Sequence, residues 1–240
     1  YDFVWHDFCD EYIEAVKYRL YDELDTTADA KYTLKHTIET VLKLMAPITP
    51  FFADSVNGYL GNTSEDLHIG GWPEINEELI SDDIELIGSY AIDIIDELRR
   101  YKSSHGIALN QPLTTVNIYT QDIDKVEATV DDIKNTNRVE NMAVFEGKPD
   151  LQEKVIEVEP VMSVIGPEFK GDAKKIISYI QSTDASVIAQ QLEDNGYVDV
   201  DGIRFTDEHI TKKSELLSET GEVVDILKTP NMNVILEVQK

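Results

Sequence analysis

Arg99–Thr120, RRYKSSHGIALNQPLTTVNIYT, is where the hydrophobic period of this chain changes. Before it, Ile80, Ile84, Ile87, Ala91, Ile94 and Leu98 recur at three- and four-residue spacing and form one stripe of a long helix. Past Gly106 the pattern alternates, with Pro112 leading into a strand through Thr115, Val116, Asn117, Ile118 and Tyr119. The change predicts a chain that is mainly α and then α+β: a helical bundle over residues 1–108, followed by a smaller mixed α+β domain over residues 109–240.

Upstream, Trp5, Phe8, Tyr12, Val16 and Leu20 predict a first helix from Phe3 to about Leu24, and Leu34, Ile38, Val41 and Met45 a second. Pro47 and Pro50 stop the second helix near Met45–Ala46. Phe51, Phe52, Val56 and Tyr59 predict a third, short helix, and a loop then passes through Trp72-Pro73. Downstream, helices are expected at 122–134, 172–182 and 184–194, and strands at 139–145, 154–159, around 197–205, 222–228 and 232–239, with a polar stretch after the strand at 197–205.

The 240 residues carry 21 Lys+Arg against 47 Asp+Glu, a formal charge of −26 that by itself argues against a phosphate backbone as partner. The excess is even: 8 basic and 22 acidic side chains over residues 1–110, 13 and 25 over residues 111–240. RNA binding therefore requires either a local basic patch or a salty medium that screens the distant charge. One cysteine, Cys9, excludes an intrachain disulfide, and five scattered histidines offer no zinc site. No apolar run approaches the roughly eighteen residues of a membrane span, so a cytoplasmic protein with no membrane partner is expected.

Basic residues cluster at two predicted helix ends: Lys17 and Arg19 around Tyr18, and Arg99, Arg100 and Lys102 around Tyr101. Cations there complement the helix dipole, which is one reading of them. The other is RNA contact, with cations on phosphates and a tyrosine face under an unstacked base. Trp5, Phe8, Tyr12, Phe51, Phe52, Tyr59 and Trp72 fall on apolar stripes and read as core; Phe51 and Phe52 are adjacent, so one of them is the better stacking platform. The acidic run Asp7, Asp10, Glu11, Glu14 reads as a solvated face, with a metal site as its rival. His68-Ile69-Gly70-Gly71 lacks the strand-and-helix context of a nucleotide loop.

Three blocks taken together, WHDFCDEYIEAVK (Trp5–Lys17), LKLMAPITPFF (Leu42–Phe52) leading to Gly71-Trp72-Pro73, and RRYKSSHGIALNQPL (Arg99–Leu113), resemble the C-terminal region of the valyl-tRNA synthetases, which are class I aminoacyl-tRNA synthetases. Isoleucyl and leucyl enzymes share the second block. Glu159-Pro160 and Val164-Ile165-Gly166-Pro167 look like the segment that follows the anticodon bundle in this group, or else form a simple turn.

The resemblance implies a valine-tRNA ligase as parent, which uses ATP and Mg to charge its tRNA and edits mischarged product. The piece itself would lack the catalytic and editing domains, hold no cofactor, metal or catalytic residue, and be inactive alone. It would bind the anticodon stem-loop of a valine tRNA and the remaining domains of the synthetase, and no DNA. Lys17, Arg19, Arg99, Arg100 and Lys102 are the expected phosphate contacts, and Tyr18, Phe51 or Phe52 and Asn110 the expected base contacts. The rivals are an acidic helical module that binds a basic protein, a metal enzyme built on the acidic pairs, and the same region of an isoleucyl enzyme.

Overall fold

The computed structural model describes residues 2–21, 26–61 and 67–240. The fold is α+β, and its packing forms two units: Tyr1–Gly147 with Leu227–Leu236, and Lys148–Ile226 with Glu237–Lys240.

In the first unit every described element before residue 113 is helical. A π-helical stretch, Phe3–Tyr12, runs into α1 (Ile13–Tyr21). The wider π turn breaks the expected three-and-four stripe, so Phe8 is buried while Phe3 and Trp5 are more than half exposed. The last residues of the expected first helix, 22–24, lie outside the described residues. α2 (Thr27–Met45) stops ahead of Pro47, and α3 (Pro50–Tyr59) starts on Pro50, where a missing N–H is harmless. Leu42, Ala46, Ala53 and Leu67 make the core between these two helices.

α4 (Asp82–Ser104) is the spine of the unit. The Ser81 hydroxyl accepts from Ile84 N at 3.5 Å, and Asp82, Asp83 and Glu85 complement the first turn. The helix gives way to Gly106, whose φ of 67° is open to glycine at no steric cost. β1 (Leu113–Thr120) and β2 (Val139–Glu146) pair in parallel from Leu113↔Val139 to Thr120↔Glu146, joined by α5 (Ile123–Glu127) and α6 (Val130–Asn137). The single helix expected over 122–134 is thus divided. With β8 (Ile235–Gln239) the strand order is β2-β1-β8.

The 108/109 line expected from the sequence falls where helix gives way to strand. The packing carries the first unit on to Gly147, because α5 and α6 lie against α4 and bury Val126 and Ile133. Phe51, Phe52, Tyr59 and Trp72, read from the sequence as core, are exposed. The core against α2 takes Ala53 and Val56 of α3 instead.

The second unit contains β3 (Gln152–Pro160), α7 (Met162–Phe169), α8 (Ala173–Ser182), α9 (Ala185–Asn195), the hairpin β4 (Val198–Val200) and β5 (Ile203–Phe205), then β6 (Ile210–Leu217) and β7 (Val223–Lys228). β3 and β6 are antiparallel in the order β7-β6-β3. Ile165, Ile176, Ile188, Leu192 and Phe205 form its core. Asp201 and Gly202, both at positive φ, turn the hairpin.

Two segments of this unit hold elements the sequence did not assign. The Val161–Gly166 segment, open to reading as a turn, begins α7, with Pro167 inside the helix and Ile165 wholly buried. The polar stretch after Phe205 holds β6, whose sequence ITKKSELL shows little alternation because its middle, Thr211–Ser214, is exposed on both faces.

Candidate nucleic-acid interface

α1 presents Glu14, Lys17, Tyr18 and Tyr21 on one face, at the i, i+3, i+4, i+7 spacing that aligns side chains on a helix. That face borders an open cleft of about 580 Å³, whose other walls are Arg99 of α4, Leu109 and Asn110 of the following loop, and the run from Lys134 to Val139 at the end of α6. The elements are tied together by specific bonds. Arg19 grips Asp132 of α6 through both ends of its guanidinium, Nε to Oδ1 at 2.8 Å and Nη2 to Oδ2 at 2.6 Å. The Tyr18 hydroxyl donates to the same carboxylate at 2.6 Å, and the Thr136 hydroxyl donates to Ala15 O at 2.9 Å. Burial, with Asp132 next, raises the Tyr18 phenol above its ordinary 10.0, which keeps it a neutral donor.

Lys102 fixes the loop wall from behind. It is fully buried, and its Nζ donates to Leu109 O at 3.2 Å, Gln111 O at 2.6 Å and Asn137 O at 2.6 Å. Burial, reinforced by Arg138, lowers its pKa. Lys102 therefore shapes the cleft and cannot reach a phosphate, which corrects the contact expected of it.

The cleft is basic in an acidic chain. Among the described residues, Lys17, Arg99, Lys134 and Arg138 line it against one carboxylate, Glu14. Glu14 pairs with Lys17 and stands 3.7 Å from Arg99, while Lys134 and Arg138 have no ion-pair partner among the described residues. Asn137 is 1% exposed; its amide nitrogen donates to Ile133 O at 3.2 Å, and its Oδ1 has no partner among the described residues.

Of the residues singled out from the sequence, the structure brings Lys17, Tyr18, Arg99 and Asn110 to the cleft. Arg19 is engaged by Asp132, and Arg100 sits exposed beside Glu97. Phe51 and Phe52 stand exposed at the start of α3 and do not line the cleft. Tyr21, Lys134, Asn135, Asn137 and Arg138 were missed. Asn-Thr-Asn-Arg at 135–138 closes a helix, but the sequence placed that helix in another domain from α1, and nothing local shows that α6 folds back against it.

Cations, tyrosines and amides are the groups that meet phosphates and unstacked bases, and residues 1–118 match the family described as the anticodon-binding domain of tRNA ligase. The valine-tRNA ligase of Methanothermobacter thermautotrophicus is 40% identical over 240 residues, covering 98% of this chain and 27% of that protein. The valine-tRNA ligases of Methanocaldococcus jannaschii and Methanosarcina barkeri are 37% identical over 229 residues (94% and 26%) and 35% identical over 238 (98% and 26%). Residues 1–118 thus carry the match to the anticodon-binding domain, and the chain over nearly its whole length is similar to valine-tRNA ligases. It spans about a quarter of the length of these curated relatives.

Proposed function

We propose that this chain holds the anticodon stem-loop of a valine tRNA for a valine-tRNA ligase, with the cleft as its contact surface. The observation that carries the reading is that Lys17, Arg99, Lys134 and Arg138, drawn from three separate parts of the sequence, converge beside Tyr18, Tyr21 and Asn110 in a chain of charge −26. Cations fix phosphates and so position the RNA; rings and amides discriminate its unstacked bases.

In this reading residues 1–108 form a helical-bundle anticodon domain and residues 109–240 an α+β C-terminal domain, with the recognition surface crossing the line between them. Valine activation with ATP and Mg, and editing, belong to the rest of the synthetase, the chain's second partner. No group of three His, Cys, Asp or Glu that could hold a metal occurs among the described residues, so no step through Mg is assigned to them. No described helix is long and apolar enough to cross a membrane, and we place the protein in the cytoplasm.

The test is binding of the chain to the valine tRNA and to one with a changed middle anticodon base, across a salt series. Readout of that base costs about 1–3 kcal/mol on the change. Lys17→Ala and Arg99→Ala weaken both RNAs alike, as phosphate contacts do. Equal affinity for the two tRNAs would reduce the chain to a positioning surface. Binding to a basic protein in preference to either RNA would replace the reading with that of an acidic interaction module.

A further inference from the structure

The corner where α6 turns into β2 lies beyond residue 118, the end of the anticodon-binding match, yet it forms a wall of the cleft. We infer that this corner seats one unstacked RNA nucleotide, with Arg138 and Lys134 on its phosphates and Asn137 Oδ1 accepting a hydrogen bond from its base. The inference rests on the cleft being the RNA interface.

Arg138 stands where an arginine is unfavourable for the fold. Its backbone is left-handed, at φ 54° and ψ 52°, a conformation that suits glycine and that α9 closes with Gly196. It also lies near enough to the buried Lys102 ammonium to repel it. Acidic residues outnumber basic ones by more than two to one, yet neither Arg138 nor Lys134 has a carboxylate partner among the described residues. A strained backbone, like-charge repulsion and unpaired cations are three costs with no return inside the described fold, and an anionic ligand relieves the last two.

Asn137 supplies the independent observation. A buried amide oxygen normally has a donor. This one has none among the described residues, in a residue that lines the cleft. Every nucleobase carries an N–H donor on its pairing edge, and a base taken out of its stack can offer it. The corner is already rigid: Lys102 Nζ holds Asn137 O at 2.6 Å, and Leu113 N donates to Arg138 O at 3.0 Å. Little ordering remains to oppose binding.

The experiment uses the 240-residue chain and an RNA hairpin carrying the valine anticodon loop, intact and with each loop base removed in turn. Arg138→Gly suits the backbone, so its melting temperature is expected to be unchanged or higher. Its affinity is expected to fall roughly threefold to tenfold, and its log-affinity against log-salt slope to become shallower by about 0.7, the loss of one single-strand phosphate contact. In Asn137→Ala, removal of the base that sits at the corner is expected to cost nothing further, whereas the same removal weakens binding by the unaltered chain. If Arg138→Gly binds with unaltered affinity and slope while Lys17→Ala binds less tightly, the corner is not a contact and only this inference falls. If every base removal costs Asn137→Ala as much as it costs the unaltered chain, Asn137 reads no base. If the unaltered chain does not bind the hairpin at all, the interface and the corner fall together.

Discussion

A lysine ammonium out of contact with water stays charged only if its protons all find acceptors, and Lys102 has three carbonyl oxygens around it. Lys102→Met keeps most of the stem's volume and leaves those carbonyls without their donor, at a cost of about 2–4 kcal/mol. Urea denaturation is expected to show that loss, together with weaker RNA binding because the Leu109–Gln111 loop and Asn137 lose their hold. A direct phosphate contact would give the reverse, weaker binding at unchanged stability. Glu11 shows charge acting the other way. Burial, then Asp96 and Asp7, push its carboxyl above the ordinary 4.5. The folded chain thus binds that proton more tightly than the unfolded one, so the contribution of this carboxyl to stability is fully present below pH 4.5 and is lost as pH rises through the raised folded value. Glu11→Gln is expected to raise the melting temperature near neutral pH, with the gain vanishing below 4.5. A gain of equal size at both pH values would assign the effect to packing instead of charge.

Among the elements, α4 organises the first unit through contacts its sequence only half reveals. Its apolar stripe announces Ile94 and Leu98 as core, and both are fully buried. Its buried Asp93 is not announced: the carboxylate accepts from Asn231 N at 3.1 Å, Asn231 Nδ2 at 2.8 Å and Met232 N at 2.9 Å, pinning the β7–β8 connection to the helix. Asp93→Ala strands those donors and is expected to cost about 3 kcal/mol. Amide exchange at Asn231 and Met232 should then speed up well beyond the global change, and unchanged protection there would show that the loop is held by something else. The helices before residue 105 were legible because proline, glycine and caps act within a few residues: Pro47 and Pro50 bound α2 and α3, and Ser81 opens α4. Pairings over a hundred residues apart were not, and the Arg19–Asp132 grip is the sharpest case. From sequence Arg19 was a free cation at a helix end, and only the fold supplies the carboxylate that occupies it. The candidate site was half legible for the same reason. Lys17, Tyr18, Arg99 and Asn110 belong to segments whose resemblance was local, while Lys134 and Arg138 reach the cleft only because α6 folds against α1.

At the scale of the whole molecule, charge acts over two distances with opposite signs. The net −26 repels itself through solvent, a long-range term that salt removes: the screening length falls from about 30 Å at 0.01 M to about 3 Å at 1 M. Cations in the cleft meet RNA phosphates at contact distance, where attraction is strongest at low salt and declines as counterions compete. Added salt should therefore raise the melting temperature of the chain while weakening its hold on the RNA, and the two slopes can be measured on one preparation by thermal denaturation and a binding titration. If the local basic surface is what meets the RNA, log affinity falls with log salt even though the protein as a whole is an anion. A rise in affinity with salt would mean that overall repulsion outweighs the cleft, and that Lys17, Arg99, Lys134 and Arg138 do not together make a phosphate-binding surface.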